Sequence, residues 1–74
     1  MSRMRYAVVI ERGQDNFSAY VPDLPGCVST GGTMAEVRTN IQEAIDFHIQ
    51  GMIEDGEPVP PPTTVSEYVE SRVA

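Results

Sequence analysis

A single long amphipathic helix limits the folds open to this chain more than any other feature of its sequence. Thr33 and Glu36 have the spacing of a capping box that starts a helix. Gly56 followed by Pro58 predicts the end of the same helix. Between these signals, apolar residues recur at helical spacing as one stripe, which comprises Met34, Val37, Ile41, Ala44, Ile45, His48, Ile49 and Met52. The chain has only 74 residues, so the segment before the helix must supply the surface that covers the stripe.

That segment has the alternating pattern of antiparallel strands. Residues 4–11 and 17–21 each alternate with a period of two, and the turn residues 13–16 join them into a hairpin. Prolines and a glycine at 22–26 break the second strand, after which residues 27–30 predict a short third one. We therefore predict an α+β fold with the element order β-β-β-α, in which one helix covers one face of a three-stranded antiparallel sheet.

The residues after the helix are rich in proline. Residues 58–62 predict an extended, polyproline-like segment. The spacing of Val65, Tyr68, Val69 and Arg72 then predicts one or two helical turns, although a final strand, the fourth of the sheet, fits nearly as well. Because a chain of this length has room for one core, we treat 1–62 as one domain and 63–74 as a short extension packed on it.

Charge and cysteine content limit the partners and the compartment. Eleven acidic residues against five arginines and no lysine give a net charge of −6. DNA binding depends on cationic side chains that replace counterions, so we do not expect it of this chain, whereas a basic protein would be attracted. The longest apolar run, residues 7–10, is too short to span a membrane or to form a secretory signal, and one cysteine cannot form an internal disulfide. We therefore expect a cytoplasmic protein.

Three motifs recur along residues 4–62. The first is the loop Pro22-Asp23-Leu24-Pro25-Gly26-Cys27. The second is Gly31 followed two residues later by Thr33 at the start of the helix, and the third is Gly56 followed four residues later by Pro60 at its end. With these three motifs the chain resembles the HicB antitoxin family. The resemblance implies a domain similar to a truncated ribonuclease H fold that binds and silences a small basic toxin, the ribonuclease HicA. Many members also carry a C-terminal DNA-binding module, for which residues 63–74 are too few.

No cluster of catalytic residues stands out in the sequence. A site of ribonuclease H type needs several carboxylates that converge on two metal ions. The middle of the first strand carries none, and Glu43 and Asp46 lie on the polar side of the helix. Cys27 suits a buried strand position, and His48 lies within the apolar stripe as a core or interface residue. We therefore predict a protein that is not an enzyme and that has no metal or cofactor.

Loop and strand residues are the candidates for toxin binding. Asp23 lies between two prolines, where a carboxylate either accepts hydrogen bonds from nearby backbone amides or faces an arginine or lysine of a partner. We predict that Asp23, Leu24, Tyr20 and Glu11 contact the toxin. The remaining loop and cap residues have structural roles in this scheme: Pro22, Pro25, Gly26, Thr33, Gly56 and Pro58.

Self-association is the second predicted interaction. The sheet face away from the helix carries apolar residues, among them Val9, which a symmetric partner would bury in a homodimer or larger homo-oligomer. Phe47 lies off the apolar stripe, which predicts either a core edge under the C-terminal tail or a dimer contact. Two other functions stay open: an orphan domain that only self-associates, and a vestigial hydrolase.

Overall fold

The computed structural model describes residues 4–74 and contains the predicted elements in the predicted order. Strands β1 (Val9–Arg12), β2 (Phe17–Tyr20) and β3 (Val28–Gly31) form an antiparallel sheet in the order β1-β2-β3. Helix α1 (Met34–Glu54) follows and packs on β2 and β3. The predicted α+β fold is therefore confirmed, with a first strand shorter than the alternating run 4–11. Residues 1–3, with which the predicted domain begins, lie outside the described part.

The register of the sheet decides which side chains face the helix. Ala19, at the middle of the central strand, is opposite Ile10 and is buried. Tyr20 is opposite both Val9 and Val28, and its side chain is exposed. Because successive side chains of a strand point to opposite faces, Val9, Tyr20 and Val28 share the face away from the helix. We call it the open sheet face.

The core is small and draws on the loop as well as on the helix and sheet. Leu24 of the loop and Val37 of the helix are both 0% exposed. Burying such a side chain fully contributes about 1.5–3 kcal/mol. The buried set consists of Ala19, Val21, Leu24, Cys27, Val37 and Ile41. The segment 21–27 is therefore as much part of the core as the strands are.

The helix begins and ends where the sequence predicts. The Thr33 hydroxyl accepts a hydrogen bond from the Glu36 amide at 3.1 Å, as an N-cap does. Gly56 has φ +71°, and the Glu57 amide donates to the Met52 carbonyl at 2.9 Å, which is the Schellman arrangement. Among residues 4–74, no helix is apolar over a length that would cross a bilayer.

Gly31 lets the end of β3 approach the first turn of the helix. A Cβ atom there would lie 2.5 Å from the Val37 nitrogen and 2.8 Å from its Cα, distances that no side chain can occupy. The Asn40 side-chain amide donates to the Thr30 carbonyl at 2.8 Å and holds the same junction. The sequence indicated Gly31 only as the end of a strand, because a close approach of two backbones leaves no local pattern.

The tail differs from its prediction. Residues 57–74 contain neither the helical turns nor the alternative final strand. A short helix in water is marginal without an apolar surface to pack on, and the large apolar side chains after Thr64 are exposed: Val65, Tyr68, Val69 and Val73. The radius of gyration is 14.2 Å, against about 11 Å for a compact domain of this length. The extension lies against the domain at Thr63 and Thr64 and projects from it beyond them.

Candidate interaction surfaces

The four residues predicted to bind the toxin do not form one surface. Tyr20 and Glu11 are exposed on the open sheet face, where Glu11 is opposite Ser18. Asp23 is half-buried in the loop. Leu24 lies in the core with no exposed area, so its side chain is not available to a partner in this conformation.

The loop buries Leu24 because its backbone folds back on itself. The Leu24 amide donates to the Val21 carbonyl at 3.0 Å, and the Cys27 amide donates to the Leu24 carbonyl at 3.0 Å. Gly26, with φ +86°, provides the left-handed turn that completes the reversal. Burial raises the pKa of the Cys27 thiol, which keeps it protonated as a small apolar core residue. An apolar residue between two prolines, in a chain short of core residues, is the signal that could have identified Leu24 as buried.

The carboxylate of Asp23 joins the tail to the loop through hydrogen bonds to Thr63 and Thr64, a contact that we call the tie. Its Oδ2 accepts hydrogen bonds from the backbone amides of Thr63 and Thr64, each at 2.9 Å. Its Oδ1 accepts from the two hydroxyls, at 3.2 Å from Thr63 and 2.7 Å from Thr64. The bonds from Thr64, and secondarily those from Thr63, lower the pKa of the carboxyl because they favour its charged form. The carboxylate does accept backbone hydrogen bonds, but from residues about forty positions away rather than from its own turn.

A second tie holds the proline-rich segment. The Tyr6 hydroxyl donates to the Pro60 carbonyl at 2.6 Å, between residues 54 positions apart in the chain. Partial burial, and secondarily the negative charge of Asp23, raise the pKa of Tyr6 and keep its hydroxyl protonated. These two contacts fix residues 60–64 against the loop and the segment before β1.

The open sheet face is a mainly uncharged surface. Val28 is 64% exposed, and its neighbour across the strands, Tyr20, is exposed as well. Ser18 and Thr30 lie beside them and add hydroxyl groups. Val9, predicted to take part in self-association, lies on this face and is half-buried. The face offers apolar area with few charges, a composition suited to a symmetric contact.

A groove of about 820 Å³ runs between the helix and the first strand. It exists because the helix packs over β2 and β3 and leaves β1 partly uncovered. The arginines Arg5 and Arg38 and the carboxylate of Asp46 lie at its rim. Its apolar lining consists of Met4, Tyr6, Val8, Ile10, Ile41, Ile45 and Ile49.

A second groove, of about 600 Å³, lies at the C-terminal end of α1, and we call it the helix-end groove. Phe47 on its wall is 82% exposed, so the tail does not cover it, and the predicted role as a core edge under the tail is wrong. His48, half-buried on the apolar stripe, also reaches this groove. The other residues that line the groove are Pro25, Gly51, Met52, Asp55, Glu57 and Pro60.

The chain is thus a small β-β-β-α domain whose candidate sites are exposed apolar surfaces. In the described residues 4–74, no three His, Cys, Asp or Glu side chains are grouped so that they could hold a metal ion. The family described as the HicB-like antitoxin of bacterial toxin-antitoxin systems matches residues 6–73. The chain belongs to this family.

Individual proteins show the same likeness. The chain is 44% identical over 66 residues to an uncharacterized 14.9 kDa protein of Haemophilus phage HP1, a match that covers 89% of this chain and 50% of the phage protein. It is 41% identical over 56 residues to a UPF0150 protein of Synechocystis, covering 74% and 71% of the two chains. The chain therefore spans about half the length of the phage protein and most of the length of the Synechocystis protein.

A solved structure shares the fold. A chain of the structure described as the HicA3 and HicB3 toxin-antitoxin complex superposes with a TM-score of 0.70 at 35% sequence identity. The match covers 80% of this chain and 70% of that chain.

Proposed function

We propose that this protein is an antitoxin that binds and neutralises a small basic ribonuclease toxin of HicA type without itself being an enzyme. The observation that carries the proposal is the family match over residues 6–73. The likeness to a chain of a toxin-antitoxin complex supports a partner of this type.

The charge of the chain supports the same partner. A ribonuclease holds RNA phosphates with cationic side chains, and a protein of net charge −6 competes for those side chains. Opposite charges also speed the encounter of the two proteins at low salt. Neutralisation then requires only that the antitoxin occupies the surface on which RNA would lie. We place the protein in the cytoplasm, where such a toxin meets its RNA.

Self-association without a toxin is the second candidate function. The exposure of Tyr20 and Val28 on the open sheet face favours it, because monomeric proteins seldom expose contiguous apolar area without use. The two functions are compatible, and a homodimer on this face would leave the rest of the surface to the toxin.

Co-expression with the neighbouring reading frame tests the proposal. We expect that frame to encode a small basic protein with one histidine, to co-purify with this chain, and to lose its RNA cleavage when this chain is added. A neighbouring protein that is not bound, or that cleaves RNA equally well in the presence of this chain, would favour the self-associating domain instead.

A further inference from the structure

We propose that the basic partner docks on the helix-end groove, where an apolar side chain of the partner, flanked by arginine or lysine, lies between Phe47 and Gly51. The inference rests on the proposed function, because that partner is the toxin. It differs from the sequence prediction, which placed toxin contacts on Tyr20, Asp23, Leu24 and Glu11.

The exposure of Phe47 is the first feature that supports the proposal. Its ring is 82% exposed although it lies on the body of the domain rather than on the tail. Two rigid elements border the same groove, the loop at Pro25 and the tied segment at Pro60. An exposed aromatic side chain beside prolines that are held in place is a preformed apolar contact, the kind of feature on which binding energy concentrates.

Gly51 is the second observation. It follows Phe47 by one helical turn, so the two lie side by side on the helix surface. A glycine in the interior of a helix destabilises it relative to alanine. Yet Gly51 has no positive φ, and a Cβ atom there would meet nothing within 4 Å. Gly31, by contrast, has no space for a side chain. No contact or backbone angle in the described residues requires glycine at position 51. We infer that the glycine leaves room in the groove for a side chain of the partner.

The rim of the groove supplies the charge complementarity. Asp55 and Glu57 border it, Glu54 precedes them, and the last turn of the helix has no basic residue. These carboxylates lie at the negative end of the helix dipole, an arrangement that is unfavourable in the free domain. A cationic side chain of a partner would relieve the repulsion.

The charges of these carboxylates also indicate which protein binds in the helix-end groove. A second copy on this groove would bring two sets of carboxylates together, whereas a basic protein would bring opposite charge to them. The open sheet face, with its mainly uncharged side chains, is the better surface for a symmetric contact between copies. We therefore assign the helix-end groove to the toxin.

The test compares three single variants of the full chain. Gly51→Ala adds one methyl group to the groove, Phe47→Ser removes its aromatic wall, and Gln50→Ala changes a neighbouring exposed residue that does not line it. The probe is the purified small basic protein encoded by the neighbouring reading frame. Affinity is measured by calorimetry at low and high salt, and folding by thermal melts.

We expect Gly51→Ala to raise the melting temperature while weakening binding about tenfold, a combination that a merely structural role would not produce. Phe47→Ser should weaken binding by at least about tenfold with little change in melting temperature, and Gln50→Ala should bind as the wild type does. Asp55→Asn together with Glu57→Gln should reduce the salt dependence of binding.

Two results would overturn the assignment while leaving the antitoxin function intact. One is toxin binding by Gly51→Ala and Phe47→Ser that equals binding by the wild type. The other is a loss of self-association in Phe47→Ser with toxin binding unchanged, which would make a second copy the occupant. If the wild type itself binds no such protein, the proposed function fails and this inference fails with it.

Discussion

The carboxylate of Asp23 accepts hydrogen bonds from both the amide and the hydroxyl of Thr64, a residue 41 positions later in the chain. The bond from the hydroxyl, at 2.7 Å, has the short length of a charge-assisted interaction. Through it the loop that closes the core also determines the path of the tail, so the two segments depend on each other for their positions.

The first prediction concerns this tie and its dependence on pH. Asp23→Asn should lower the melting temperature at neutral pH because a neutral amide replaces a charged acceptor of four hydrogen bonds. The pKa of Asp23 is lowered in the folded state, so its contribution is present above the ordinary aspartate range and is lost as the pH falls through the folded-state value. The difference in melting temperature between wild type and variant should therefore shrink as the pH falls below the ordinary aspartate range.

Thr64→Ala provides the matched control for that experiment. It removes one of the four hydrogen bonds from the other side of the tie, so its effect and that of Asp23→Asn should be less than additive in the double variant. Fully additive losses would show that Asp23 and Thr64 do not stabilise the domain through a shared interaction. A difference that stays constant down to low pH would show that the charge of Asp23 is not its source.

The second prediction concerns the end of the helix. Gly56→Val should cost roughly 1–2 kcal/mol, because a β-branched residue is strained at the φ of +71° that the Schellman turn requires. For a domain of this size that corresponds to a melting temperature lower by several degrees. Gly56→Ala should show a smaller loss in the same direction, and a variant as stable as the wild type would contradict the left-handed geometry.

The third prediction uses two adjacent glycines as a matched pair. Gly31→Ala should destabilise the domain by about 1–3 kcal/mol, since its Cβ would overlap the backbone of Val37. At Gly32 a Cβ would only approach the flexible Glu36 carboxylate, at 3.4 Å, so Gly32→Ala should be nearly neutral. Chemical denaturation of both variants decides the matter, and the reverse order of stability would refute the close approach of β3 and α1.

The fourth prediction concerns the oligomeric state. The chain should self-associate at tens of micromolar through the open sheet face, and Val28→Glu should produce a monomer because it places a charge within that contact. Since Val28 is 64% exposed, the substitution should leave the melting profile of the monomer nearly unchanged. Sedimentation equilibrium that finds the wild type monomeric would exclude this interface.

Local patterns in the sequence were sufficient to predict the elements of the fold. The period-two runs, the Thr33 cap and the Gly56 end each depend on neighbours within a few residues. The structure has the three strands and both helix ends, although β1 covers only Val9–Arg12. The same spacing logic failed for the tail. Val65, Tyr68 and Val69 have helical spacing, but a spacing becomes a helix only where an apolar surface is available to cover it, and these side chains are exposed.

The candidate sites were harder to predict because they depend on contacts between distant parts of the chain. The hydrogen-bond partners of Asp23 lie about forty positions away in the chain. Leu24 is buried because the loop reverses its direction, and the local pattern with two prolines does not show this reversal. Gly51 differs from these residues because its position inside the helix can be predicted from the sequence. A helix-interior glycine is visible in the sequence, but only the empty space around it in the structure separates it from a glycine required for packing.

The tie at Thr63 and Thr64 also fixes the point from which the rest of the chain departs. Residues 65–74 are exposed and continue from an anchor beside the loop rather than from the end of the helix. If they behave as a random coil, their root-mean-square span is about 17 Å. A fluorophore or affinity tag attached after Ala74 would sample the neighbourhood of Asp23 at high effective concentration. Energy transfer between this dye and a second dye at Pro22 measures the distance between the two positions. Loss of the tie would lengthen that distance without any change in the helix or the sheet.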